Sequence, residues 1–149
     1  MGRIFATLLL TAFAVGAPWA AASAAEYEVQ MRNKGTDGQA WQFEPAFLKI
    51  APGDTVTFVS ADKGHNSETT ELLVPKDGTT WKGKINEPVK VTFDQEGVYA
   101  YKCLPHAALG MVGVIQVGNS VANVEAAKNA KIPGKGKTRL AELITQVGN

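Results

Sequence analysis

The sequence predicts an all-β sandwich closed by a short pair of C-terminal helices. Three observations predict it. Short runs rich in β-branched and aromatic residues alternate apolar with polar positions. Gly, Pro, Asn and Asp gather between those runs as turn chemistry. Past residue 120 the apolar spacing changes from that of a strand to that of a helix. A chain of 149 residues, 45% of them hydrophobic and 19% charged, is the size of one domain with a core of its own. Its 15 basic and 14 acidic residues leave a net charge of +1, which argues against a nucleic-acid binder, since those are markedly basic.

Each element has its own signal. Tyr27–Arg32 alternates as a half-buried strand does, and Lys34–Gly38 is a turn. Phe47–Ile50 reads as the second strand, stopped by Ala51-Pro-Gly-Asp54. Thr55–Val59 is β-branched and aromatic and reads as the third. Residues 60–83 are polar and mixed and read as loop. Val89–Phe93, Gly97–Cys103 and Val112–Val117 complete the strands. Val121–Ala130 reads as a helix with Asn119 or Ser120 as its N-cap. Ile132–Lys137 breaks it, and Thr138–Val147 forms a second helix with Leu140, Leu143, Ile144 and Val147 on one face.

Residues 1–25 have the three-part layout of a secretory signal peptide. Arg3 supplies the charge, Ile4–Val15 the apolar stretch, and Ala20–Ala25 the small residues before a cut after Ala25. The stretch is shorter than the roughly 20 residues that span a bilayer, so no membrane anchor is expected. Residues 26–149 then form the single domain, and loss of Arg3 balances its charge. Export favours disulfides, but Cys103 is the chain's one cysteine. By itself it is a buried hydrophobe, a route to dimers, a nucleophile or a metal ligand.

Its neighbours narrow that choice. Cys103-Leu-Pro-His106-Ala-Ala-Leu-Gly-Met111 places a thiol, an imidazole and a thioether in one loop between strands. The second of the two histidines, His65, lies in the loop after the third strand. Soft sulfur with imidazole suits copper in both oxidation states, and two His, one Cys and a weak Met form the ligand set of blue-copper electron-transfer sites. A Cys103–His106 nucleophile pair stays open as an enzyme alternative. A second metal site is not expected, because both histidines are used and only one cysteine exists.

Gly97, Tyr99, Tyr101, Cys103, Pro105, His106, Gly110 and Met111 spell G-x-Y-x-Y-x-C-x-P-H-x-x-x-G-M, and Gly64-His65-Asn66 precedes them. On these residues the chain resembles the cupredoxins. Its helical tail makes it more similar to the pseudoazurin group than to plastocyanins. The resemblance covers residues 26–149 and implies a Greek-key β-sandwich holding one type 1 copper ion that cycles between Cu(I) and Cu(II). It implies a soluble periplasmic electron carrier of denitrification, not an enzyme. His65, Cys103 and His106 would be the strong trigonal ligands and Met111 the weak axial one. The Asn66 backbone N–H would bond the Cys103 sulfur, and its side chain would tie the two ligand loops together.

Pro105 has no N–H to offer the sulfur, which implies a more electron-rich thiolate. The implied partners are redox proteins, chiefly a copper nitrite reductase, with c-type cytochromes as donors or acceptors. A plastocyanin-like carrier with a different partner is the alternative. Lys63, Lys82, Lys84 and Lys102 would ring an apolar patch over His106, steering an acidic partner. Leu109, Pro105, Ala107 and Gly64 are the candidates for the patch, with Ala40 and Trp41 as weaker ones. A monomer that exposes His106 follows. Met31, Tyr99 and Tyr101 are expected in the core.

Overall fold

A computed structural model describes residues 23–149; the leader reading falls largely outside them. Among the described residues seven strands form two sheets. In the larger, β1 (Glu26–Lys34) runs antiparallel to β2 (Ala40–Glu44) and parallel to β4 (Asp54–Ser60), and β4 pairs antiparallel with β5 (Val89–Phe93). In the smaller, β7 (Val112–Val117) lies between β3 (Phe47–Ile50), to which it is parallel, and β6 (Gly97–Lys102). Two helices, α1 (Val124–Lys128) and α2 (Lys135–Ile144), follow. The architecture is a two-sheet β-sandwich with C-terminal helices.

β3, β5 and β7 have the bounds that the alternation predicts. β2 has no such signal. Trp41 takes a positive φ of 60°, which breaks the alternation, and Gln42 and Phe43 are both buried. The helices also differ from expectation. α1 starts at Val124, not Val121, and neither Asn119 nor Ser120 caps it. Asn123 stands at its N-cap position, but the side chain is engaged elsewhere. It accepts from the Val98 N–H at 2.9 Å and donates to the Val98 carbonyl at 2.7 Å, closing the open edge of β6 as a neighbouring strand would. α2 begins inside the predicted breaker, because Gly134 at φ 57° turns the chain directly into it. Leu140, Leu143 and Ile144 are buried as their spacing requires; Val147 is half-buried beyond the helix end.

Two cores result. Val29, Met31, Phe43, Phe58, Phe93 and Tyr99 lie in the first, with Tyr101 and Ile115 among their neighbours. Leu140, Leu143 and Ile144 cover the outer face of the small sheet at Val98, Ala100, Val112 and Val114 in the second. β7 is therefore buried on both faces, which explains its nearly continuous apolar run. Gln116 interrupts it with a buried polar side chain and Gly113 with none; at Gly113 a Cβ would lie 2.2 Å from the Tyr101 ring carbon Cζ. Gly113→Ala is expected to destabilise the fold by at least about 1–3 kcal/mol through this overpacking. Urea unfolding with an unchanged m-value checks it.

The first core also contains Cys103 and Met111. The site to which the sequence points is thus built on one end of the packed sandwich.

Candidate metal centre

β6 delivers Cys103 at its end, and the chain then folds on itself. Cys103 N–H donates to the Met111 carbonyl at 3.0 Å, Met111 N–H to the His106 carbonyl at 3.1 Å, and His106 N–H to the Cys103 carbonyl at 3.2 Å. A 3-10 turn over Ala107–Leu109 ends at Gly110, whose φ of 109° disfavours other residues. His65 arrives from the far loop. There Gly64 N–H donates to Asn86 Oδ1 at 2.6 Å and Asn86 N–H to the His65 carbonyl at 2.9 Å. Glu68 and Lys102 exchange two backbone hydrogen bonds, both 3.0 Å, which fasten this loop to β6.

The three donors converge. The Nδ1 atoms of His65 and His106 are 3.1 Å apart, and Cys103 Sγ lies 3.7 Å from the first and 3.5 Å from the second. A point equidistant from the corners of that triangle is about 2.0 Å from each, within the range of about 2.0–2.3 Å that nitrogen and thiolate ligands keep from a metal ion. His65 Nε2 lies 2.9 Å from Asn33 Oδ1; donation there leaves the Nδ1 lone pair facing the centre. Two such lone pairs and a thiolate repel one another unless a cation stands between them. The donor set and its spacing fit copper. His65, Cys103 and Met111 are fully buried, whereas His106 reaches the surface in part, its ring stacked on Trp41 at a centroid distance of 4.2 Å and 14° between planes.

Burial lowers the pKa of His65, the nearby His106 lowers it further, and Asp62 opposes both. Burial lowers that of His106 as well. For Cys103 burial pushes the thiol up, the backbone N–H groups of Asn66 and His106 pull it back, and the Glu68 carboxylate pushes it up again. In the metal-free protein both imidazoles thus protonate below the ordinary value of about 6.5. The unfolded chain binds more protons between that value and the folded ones, so their contribution to stability is present above about pH 6.5 and is lost as pH falls through the folded pKa values. Proton NMR titration of the metal-free protein should give both ring midpoints below 6.5.

The supporting groups agree only partly with expectation. Asn66 ties the loops: its Oδ1 accepts from Leu104 N–H at 2.7 Å, and its Nδ2 donates to Glu68 Oε2 at 3.2 Å and the Gly83 carbonyl at 3.1 Å. Pro105 is exposed in the turn. Asn33 and Glu68 have no signal in the sequence. Trp41, one of the weaker candidates for the patch, packs directly on His106.

On the surface, Ala107 is buried and drops out of the patch. Leu104 takes its place beside Leu109; they are 55% and 48% exposed. Lys63 and Lys82 are exposed without an ion pair among the described residues. Lys84 pairs with Glu87 at 3.6 Å, and Lys102, half-buried, with Glu68 at 3.7 Å, so neither is the free cation that the spacing suggests. Lys135 and Arg139 of α2 border Gly110 and add cations that the sequence does not place there.

Residues 29–118 match the family of copper binding proteins described as plastocyanin/azurin. The chain belongs to the plastocyanin/azurin family of copper proteins. Within it the pseudoazurins are similar along nearly the whole chain. A putative pseudoazurin of Rhizobium leguminosarum bv. viciae is 50% identical over 98% of this chain and 92% of its own. The pseudoazurin of Paracoccus pantotrophus is 45% identical over 83% of this chain and 85% of its own. The solved structure of a Sinorhizobium pseudoazurin superposes with a TM-score of 0.80 at 48% identity, covering 84% of this chain and 99% of that one. This cupredoxin is a type 1 copper electron carrier, not an enzyme, and the cluster of His65, Cys103 and His106, with Met111 buried in the same core, is its copper site.

Proposed function

We propose that this cupredoxin is exported to the periplasm, cut after Ala25, and passes single electrons to a copper nitrite reductase, with c-type cytochromes as alternative donors or acceptors. The observation that carries the reading is the convergence of Cys103 Sγ and two histidine Nδ1 atoms around one point, with only His106 reaching the surface. Copper held there would supply a one-electron couple. Cys103 and the two imidazoles would hold it as the strong donors, with Met111 as the weak one. Asn33 fixes the His65 tautomer and Asn66 fixes the distance between ligand loops. Loop 103–111 is hydrogen-bonded to itself, so little rearrangement accompanies a change of charge.

His106 is the electron port. Leu104, Leu109 and Pro105 around it permit close approach without unpaired polar groups, and Lys63 and Lys82 steer an acidic partner. A thiol hydrolase is not supported, since the Cys103 sulfur is wholly buried and no substrate reaches it. The test is a visible spectrum of residues 26–149 with Cu(II), then stopped-flow oxidation by copper nitrite reductase. An intense red-region thiolate band that bleaches on reduction is expected; a colourless folded protein with a free thiol overturns the copper reading. Reversing Lys63 and Lys82 to Glu should slow association several-fold at low salt, with the difference shrinking as salt rises. An unchanged rate overturns the steering role. Pro105→Ala should raise the reduction potential by admitting another N–H toward the sulfur, measured by voltammetry.

A further inference from the structure

Glu68 is a buried carboxylate that the copper chemistry does not require. Its side chain is 8% exposed, and its charge pushes on the Cys103 thiol in the same direction as burial. An anion beside a thiolate is unfavourable unless a cation offsets it. Lys102, one residue before the cysteine, provides that cation with Nζ 3.7 Å from Glu68 Oε1. The two residues face each other as a hydrogen-bonded antiparallel pair, which puts their side chains on one face.

The two are held unequally. Glu68 is fixed: its backbone is bonded on both sides of the pair and its Oε2 accepts from Asn66 Nδ2 at 3.2 Å. Lys102 has one long ionic contact, a flexible four-carbon stem and a side chain 26% exposed. It lies one residue before Cys103 and two before the exposed Leu104. An acidic group arriving there competes for the ammonium but has no access to the carboxylate.

We propose that Glu68 and Lys102 form a docking-sensitive charge pair: an acidic partner draws Lys102 outward, leaves Glu68 uncompensated beside Cys103, and lowers the electron affinity of the copper site. This rests on the carrier reading above. The reduced site carries one positive charge fewer than the oxidised one, so an uncompensated anion favours the oxidised state. One electron leaves for the docked acceptor protein; no bond forms or breaks and no proton moves. When the partner departs, Lys102 returns to Glu68 and the site is again ready to be reduced. Docking and donation are thereby linked by a coupling free energy between two places on one small domain.

The experiment is a voltammetric cycle on copper-loaded wild type, Glu68→Gln, Lys102→Gln and the double variant, with and without poly-L-glutamate as the acidic probe. Glu68→Gln is expected to raise the potential by of the order of tenfold in the reduction equilibrium, about 59 mV for one electron. Lys102→Gln is expected to lower it, and to do so by less than half as much in the Glu68→Gln background. Poly-L-glutamate should lower the wild-type potential more than that of Glu68→Gln. The thiolate band should stay in place in all four, as a pure charge effect requires. An unchanged potential in Glu68→Gln, an equal effect of Lys102→Gln in both backgrounds, an equal or absent response to the probe, or a displaced band each overturns the pair. Wild type lacking the band and a one-electron couple would instead overturn the carrier reading itself.

Discussion

Cys103→Ser is expected to remove the red-region band altogether and to weaken copper binding by more than about a hundredfold, beyond the 10–100-fold that groups supporting a ligand are worth. The reason lies in ionisation. A thiol, even one raised by burial, gives up its proton to a metal between two imidazoles, whereas a serine hydroxyl holds its proton at neutral pH. His65 and His106 remain, so residual binding through two nitrogens is expected, with none of the sulfur-to-copper charge transfer. The fold should persist. The position is fully buried, and a hydroxyl there has one proton, which it can turn toward the Nδ1 lone pair of one histidine at a time. Circular dichroism matching wild type, together with a flat red region, is the expected pair of results. A variant that kept the band would show that the colour does not come from this sulfur.

Much of the centre was legible in the sequence because much of it is local. Cys103, His106 and Met111 share a nine-residue loop whose spacing is itself the signal. His65 was legible by scarcity, as the only other histidine. Of what supports them, Asn66 was legible beside His65, whereas Asn33 and Glu68 were not, because long-range packing selects them. Asn33 meets His65 across 32 positions, and nothing in the alternation of β1 marks an asparagine at its end as a partner for a ring nitrogen. Trp41 reaches His106 through a positive-φ residue that also hides β2 from a period-two reading.

The lysines teach a related lesson. Counting charge around the ligand loops finds Lys84 and Lys102, but only the fold shows Glu87 and Glu68 beside them. The strands of the small sheet were legible from hydrophobicity alone, whereas the start of α2 depended on how one glycine, Gly134, bends the chain.

Asn66→Ala is the second large expected effect, and it joins stability to the metal site. Asn66 is 2% exposed and makes three side-chain hydrogen bonds, to Leu104, Glu68 and Gly83. Truncation takes the acceptor from the Leu104 N–H and the donor from Glu68 Oε2 and the Gly83 carbonyl, leaving three polar groups short of a partner, the first and last of them only partly buried. Each costs about 1–3 kcal/mol, and the network they belong to makes a total of about 2–4 kcal/mol the expectation. Copper affinity should fall in parallel, since the same side chain sets the spacing between the His65 loop and Cys103.

Asn66→Asp separates the two contributions. It keeps an acceptor for Leu104 N–H but sets a second carboxylate against Glu68 and gives up both donations. Near neutral pH it should therefore be less stable than Asn66→Ala. It should recover as pH falls and one carboxyl of the facing pair takes up a proton, which removes the repulsion and restores a donor. Urea unfolding of both variants between pH 4.5 and 7.5 measures this as two lines that cross. If the lines stayed parallel, the Glu68 contact would contribute nothing, and the role of Asn66 would reduce to its bond with Leu104.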